Sequence, residues 1–305
     1  MKEPIAYYRG DFVPFATVTV SPGDAGFVQG AAVAEQLRTF GGRLFRLDDH
    51  LQRLAASLDI VGIELAESPD RLAQICSELI AHNHPLLEPG DDLGLGIFVT
   101  PGLYPGYGEN SSPGPTVCLH TYPLPFDLWH EKYDDGQALV VPAVRQVPDA
   151  CWPSALKCRS RMHYYLADRQ AAQAEPGARA LLVDLQGHVT EASTANIVTY
   201  QQTTGLISPL HEKVLPGISL AQVAQSAASL AVPMTERDLT PQSVAASDEV
   251  LLTSTPLCLL PVTRLNGQPI GDSKPGPMFR RLLDDWNERV QLDIAAQAHR
   301  FAQRH

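Results

Sequence analysis

Two stretches decide how this chain is read: Ala155-Leu156-Lys157-Cys158-Arg159-Ser160-Arg161-Met162 and Val189-Thr190-Glu191-Ala192-Ser193-Thr194-Ala195-Asn196-Ile197. In the first, a lysine sits between Ala155-Leu156 and Met162, and two arginines follow it closely. In the second, a glutamate follows the Gln186-Gly187 turn on a β-type run. A free lysine amine titrates at about 10.4 and is a poor nucleophile and base at neutral pH. A lysine that does chemistry therefore needs surroundings that free its lone pair. Lysine and glutamate at this separation are also what two ordinary solvated charges look like, so the remaining segments have to choose between the readings.

Bulk composition narrows the classes. A chain of 305 residues predicts two domains or one large one. It is 44% hydrophobic and 19% charged, an ordinary globular balance. The net charge of −11 disfavours a nucleic-acid surface, because phosphate contacts need clustered Lys and Arg. No apolar run is long enough for a membrane span, and the segment from Met1 to Ala6 lacks the apolar core of a signal peptide. Cys76, Cys118, Cys151, Cys158 and Cys258 are odd in number, scattered and without a CxxC pair. They read as reduced thiols of a cytoplasmic protein, not as disulfides or a zinc site.

Short strands and helices mix throughout, which predicts an α/β (α+β) fold without internal repeats. Residues 5–20 read as a hairpin turning at Arg9-Gly10-Asp11. Val33–Phe40, Leu93–Thr100 and Thr116–Tyr122 read as strands. Leu47, Leu51, Leu54 and Leu58 mark one buried face of a helix, with Asp48 or Asp49 expected as its N-cap. A second helix is expected from Pro69 to Ile80, and a long Gly/Pro/Ser-rich loop over residues 101–115. After Pro125 the pattern restarts. Strands are predicted over Ala138–Val144, Ala180–Asp184, around Thr190, Asn196–Tyr200, Glu249–Ser254 and Pro261–Leu265. Helices are predicted over Met162–Ala174, from Pro216-Gly217 to about Leu230, and over Pro277–Val290. The expected division is a small domain over 1–124, a linker over 125–136 and a larger domain over 137–305.

Four segments in order then complete a pattern. They are Gly30–Arg38 with His50-Leu51-Gln52-Arg53; Leu156-Lys157; Glu191–Ile197; and Leu215-Pro216-Gly217-Ile218-Ser219 with Leu252-Thr253-Ser254-Thr255. Together they resemble the fold-type IV enzymes that use pyridoxal 5′-phosphate (PLP): branched-chain and D-amino-acid aminotransferases and aminodeoxychorismate lyases. The resemblance runs from about residue 7 to 285. It implies that Lys157 forms the Schiff base with the PLP aldehyde and shuttles the proton between substrate Cα and the cofactor. It implies that Glu191 keeps the pyridine nitrogen protonated, so that the ring accepts electrons. Arg53, the backbone N–H groups of Gly217, Ile218 and Ser219, and Ser254 with Thr255 are then expected on the phosphate. The expected architecture is a small N-terminal α/β domain and a larger C-terminal domain with a barrel-like sheet, with PLP in the cleft between them, in a homodimer.

The substrate side departs from these relatives. The arginine that follows Val-Thr in D-amino-acid aminotransferases is Pro101 here, the aromatic before the motif glutamate is Ala34, and the branched-chain tyrosine is Met162. Arg159 or Arg161 is expected to bind a substrate carboxylate in their place, with bracing of the backbone or dimer as the alternative. Arg38 and Tyr104 are further substrate candidates, and Tyr104 with Tyr107 is a candidate lid. The loop 101–112 is expected to act on a partner subunit's site. His50 reads as supporting the helix start, and the His163-Tyr164-Tyr165 run as packing. The leading function is an aminotransferase working through pyridoxamine phosphate, with amino-acid and 2-oxo-acid substrates. An aminodeoxychorismate-lyase-like reaction and a PLP-binding protein of little turnover are the alternatives.

Overall fold

A computed structural model describes residues 3–107 and 114–304. The chain forms two compact units. One holds the chain up to Leu124 together with Leu156–Ser160; the other holds Pro125–Ala155 and the chain from Arg161 onward.

The first unit is an antiparallel sheet of six strands: β1 (Ile5–Tyr8), β2 (Asp11–Pro14), β3 (Val33–Phe40), β4 (Arg43–Leu44), β5 (Leu93–Thr100) and β6 (Thr116–Pro123), in the order β2-β1-β6-β5-β3-β4. Its helices are α1 (Ala25–Val28), α2 (Leu47–Val61) and α3 (Pro69–Asn83). The hairpin turn falls at Arg9-Gly10, both at positive φ, and the β3–β4 turn at Gly41-Gly42, also at positive φ. On β3 the side chains alternate, so Val33, Glu35, Leu37 and Thr39 share one face. Val33 and Leu37 join Leu95, Ile97 and Leu119 of the neighbouring strands, Leu51, Leu54 and Leu58 of α2, and Ile75 and Leu79 of α3 in one core.

The α2 N-terminus corrects the expected cap. The helix starts at Leu47 behind Arg46, which has φ 53°, and neither Asp48 nor Asp49 caps it. Both aspartates lie in the first turn, where their charge favours the positive helix end, and Asp49 pairs with Arg46 Nε at 2.5 Å.

Residues 156–160 join the first unit through backbone pairing with the start of β3. Ala34 N–H donates to Lys157 O at 2.9 Å, Arg159 N–H to Ala32 O at 2.8 Å, and Val33 bridges Cys158. Ser160 Oγ donates to Gly30 O at 2.6 Å. The lysine segment is thus laid along β3, which a single sequence cut near residue 125 does not convey.

The second unit carries β7 (Gln137–Val140), β8 (Arg179–Val183), β9 (Val189–Ala192), β10 (Asn196–Gln201), β11 (Gly205–Ser208), β12 (Met234–Glu236), β13 (Glu249–Ser254), β14 (Cys258–Leu265) and β15 (Gln268–Pro269). Their order is β12-β11-β10-β13-β14-β7-β8-β9, with β15 on β14. β9 runs into β10 through a tight turn in which Ala192 and Ala195 bridge, so the path from β10 round to β9 curls back on itself in a barrel-like way. Helices α4 (Lys132–Asp135), α5 (Met162–Ala174), α6 (Ile218–Ser229), α7 (Pro241–Ala245), α8 (Pro277–Val290) and α9 (Ile294–Phe301) complete the unit. α5 packs Ala167 and Ala171 against Ala138, Val140, Ala180 and Leu182. Small side chains let the helix lie close to the sheet.

Residues 125–136, expected as a linker, are folded: Phe126, Trp129 and Tyr133 are buried, and Tyr133 Oη donates to Leu257 O at 2.7 Å. Strand β7 stops at Val140, short of the expected Val144, because Pro142 has no N–H to donate and restricts the residue before it.

Candidate active site

In the first unit the lysine lies against a stripe of α2. His50, Arg53 and Ser57 recur at helical spacing beside the buried leucine face. Ser57 Oγ accepts the Lys157 N–H at 3.2 Å. Arg53 and His50 both reach Glu35, which is 0% exposed on the helix-facing side of β3. Arg53 Nε meets Glu35 Oε1 and an Arg53 Nη meets Oε2, each at 2.8 Å, a two-point guanidinium–carboxylate fork. His50 Nδ1 lies 2.8 Å from Oε2, so its N–H points at the carboxylate, and the buried Nε2 has no hydrogen-bond partner among the described residues.

Two opposed effects set the Glu35 charge. Burial pushes the carboxyl up, but the hydrogen bonds of Arg53 and His50, and the charges of Arg53 and Lys157, outweigh it and hold it at about 2. His50 goes the other way for its class: burial lowers it despite the Glu35 contact, so it stands as neutral imidazole. The sequence motif contains Glu35 without assigning it a task, and His50 reads there as support for the helix start. The H-x-x-R-x-x-x-S stripe facing a buried acid is the available signal.

The second unit gathers the other expected residues. Glu191, 6% exposed on β9, accepts from Tyr164 Oη at 2.5 Å and from Gln146 Nε2 at 2.7 Å. The turn after it is fixed by Arg179, whose guanidinium donates to Ser193 O and, at 2.8 Å, to Thr194 Oγ1. Asn196, first in β10, then links two distant segments. Its Nδ2 donates to Leu215 O at 3.0 Å, and it pairs in register with Thr253, next to Ser254 and Thr255 at the end of β13. Gly217 is the N-cap of α6, and a Cβ there would fall 1.9 Å from Asn196 Oδ1. Only glycine fits this turn, which leads the Ile218 and Ser219 N–H groups out at a helix N-terminus suited to a phosphate.

The substrate candidates are dispersed. Arg38 is buried, its guanidinium 4.0 Å from the Phe40 ring centre and its Nε donating to Thr39 O, which is the setting of a packed arginine. Arg159 is exposed, and its charge helps burial to keep His120 low. Arg161 is half-buried as the N-cap of α5. Tyr104 is half-buried, with its N–H on Gly23 O at 2.8 Å and its ring 6.0 Å from that of Tyr107. Residues 108–112 of the loop expected to act on a partner lie outside the described residues.

The family described as amino-transferase class IV matches residues 32–265, a span that includes Glu35, Arg53, Lys157, Glu191 and Gly217. The chain belongs to the class IV aminotransferases. It is 29% identical over 281 residues to a D-alanine aminotransferase of Bacillus licheniformis, covering 90% of this chain and 93% of that one. It is 26% identical to a D-alanine aminotransferase of Staphylococcus aureus, covering 93% and 97%. Its fold matches a T.th. branched-chain amino acid aminotransferase solved with pyridoxamine 5′-phosphate, with TM-score 0.83, 23% identity and coverage of 97% and 96%. The Escherichia coli branched-chain enzyme matches with TM-score 0.83, 21% identity and coverage of 92% of each chain. These comparisons support an aminotransferase and do not favour the lyase alternative.

For a class IV aminotransferase, a family that uses PLP, the Gly217 turn carries a direct test. Gly217→Ala is expected to cost about 1–3 kcal/mol through overpacking against Asn196. PLP affinity should fall with it. Thermal melting and titration of the apoprotein check both; an unchanged affinity would remove the turn from the phosphate site.

Proposed function

We propose that the chain is a PLP-dependent aminotransferase that moves an amino group from a small amino acid to a 2-oxo acid. The observation that carries the reading is the family match across residues 32–265, with Lys157 held on β3 beside the Glu35–Arg53 fork. When bound, PLP supplies an electron sink that makes the donor's Cα–H bond acidic. Lys157 Nζ takes up that proton. Glu191, which accepts hydrogen bonds from Tyr164 and Gln146, would hold a proton on the ring nitrogen. In the first unit Arg53, oriented by Glu35, would be the phosphate arginine of this reading; in the second, the N–H groups of Ile218 and Ser219, with Ser254 and Thr255, would be its phosphate donors. Arg159, exposed and two residues from Lys157, is the carboxylate-binding arginine of this reading, ahead of Arg161 and Tyr104.

Homodimer assembly and a cytoplasmic location belong to the same proposal. The first unit exposes Phe15, Val20, Phe27 and Val28, apolar surface suited to a second copy. The five cysteines are all unpaired, and among the described residues no helix is long and apolar enough to cross a membrane.

The test is a donor panel. Purified protein loaded with PLP is given single D- and L-amino acids, starting with D-alanine, with 2-oxoglutarate or pyruvate as acceptor. Amino-acid product is measured by chromatography. Turnover of one donor class together with loss of the PLP absorption band is the expected result. Protein that takes up no PLP and turns over none of the panel overturns the proposal. Arg159→Ala should raise KM for donor and acceptor by about 10-fold or more, the scale of one lost charge-assisted contact.

A further inference from the structure

We infer that Tyr164 is a positioning residue for Glu191: its phenol and the Gln146 amide together aim the Glu191 carboxylate. The inference rests on reading Glu191 as the partner of the cofactor's ring nitrogen.

The geometry is convergent. Tyr164 Oη, at 2.5 Å, and Gln146 Nε2, at 2.7 Å, donate to the same oxygen, Oε1. Each donor is anchored elsewhere in the second unit. Tyr164 is the third residue of α5, and its ring packs beside the cluster of Ala138, Val140, Ala167 and Leu182. Gln146 N–H donates to Val183 O on β8 at 3.0 Å, while its Oε1 accepts the Val147 N–H at 3.1 Å. That second bond fixes which end of the amide is oxygen, so the NH2 must face Glu191.

The choice of donors matters as much as their aim. Glu35 is held by a guanidinium, which cancels its charge locally. The phenol and amide that reach Glu191 are neutral donors, and each makes a hydrogen bond to its carboxyl oxygen. The phenol also keeps its proton: burial, then the Glu191 charge and hydrogen bond, push its titration well above 10. Tyr164 therefore remains a donor across the working pH range. Nothing in the sequence around the lysine points to this task, since Tyr164 lies between His163 and Tyr165 in a run that reads as helix packing.

A double-mutant cycle on PLP affinity tests it. Tyr164→Phe retains the ring and removes one hydrogen bond to a charged group, so PLP should bind about 10-fold more weakly to the apoprotein. The cofactor's absorption band should shift in the same direction as in Glu191→Gln. In the Glu191→Gln background, Tyr164→Phe should cause no further loss, because it acts through Glu191. Equal losses in both backgrounds would overturn the inference. So would an unchanged affinity and band in Tyr164→Phe while Glu191→Gln alters both. If Glu191→Gln itself changes neither, the reading of Glu191 fails, a distinct outcome. Should Tyr164→Phe not fold, Gln146→Met gives the same cycle from the other donor.

Discussion

Lys157→Ala is expected to abolish transamination, with kcat/KM falling at least about 10³-fold, the scale of losing a residue proposed to serve as both nucleophile and proton carrier. The loss should be chemical, because the position is held by its backbone. Ala34 donates to the Lys157 carbonyl and Ser57 accepts the Lys157 N–H, and both bonds survive truncation to alanine. The melting temperature should therefore stay close to that of the parent while the cofactor band is lost. Lys157→Arg should not rescue activity: a guanidinium stays protonated and cannot exchange a proton near neutral pH. Lys213 is the amine to examine as a substitute, and it is already committed to Asp238 at 2.6 Å and Asp184 at 3.2 Å. Steady-state kinetics, absorption spectra and melting curves on the two variants check this. Residual activity above about one-tenth of the parent would take the catalytic amine away from position 157.

Much of the fold was legible because it is written in local periodicity. The alternation of Val33–Phe40 and the leucine stripe of α2 gave their elements directly, and Met162–Ala174 and Pro277–Val290 were bounded as expected. What escaped was set by distant partners. β11, antiparallel to β10, and β12, parallel to β11, are short additions at a sheet edge, and α9 follows a break after α8, so none of them carries a long pattern. Residues 125–136 look like a linker from their Pro, Asp and Gly, yet Phe126, Trp129 and Tyr133 bury their rings. The site divides in the same way. Lys157, Glu191, Arg53, Asn196 and Gly217 stand in motifs, whereas Gln146 and Tyr164 come to notice only through their bonds to Glu191 across the fold. Glu35 is the instructive case: an acid on the core-facing side of a strand breaks the hydrophobic pattern, and such a break is repaid only if something on the facing helix answers it.

The second large effect is on that acid. Glu35→Gln should destabilise the first unit by about 3–5 kcal/mol, the usual cost of removing one partner from a buried ion pair. Arg53 keeps a side chain to lean on but loses the charge that offsets its own desolvation. The effect should depend on pH with a definite sign. Glu35 titrates at about 2 in the folded chain against a reference value of 4.5. The folded state thus prefers the anion, and the difference is worth about 3 kcal/mol. That contribution is fully present above about pH 4.5 and is lost as pH falls toward 2. The gap in melting temperature between parent and Glu35→Gln, roughly 10 °C at neutral pH for a loss of this size, should therefore narrow once pH falls below about 4.5. His50 contributes in an adjoining window. Its folded-state titration is depressed by burial below 6.5, so its stabilisation begins to fade as pH drops through that value, and more so in the variant, where the Glu35 charge that opposes the shift is gone. Melting curves taken from pH 7 down to the onset of acid unfolding separate the two groups. A gap that stays constant over the whole range would mean that the Glu35 charge contributes nothing and that only the shape of its side chain is needed. Because the same fork orients Arg53, PLP affinity should fall in Glu35→Gln even under conditions where the apoprotein is fully folded. That result would tie this buried acid of the first unit to the proposed phosphate role of Arg53.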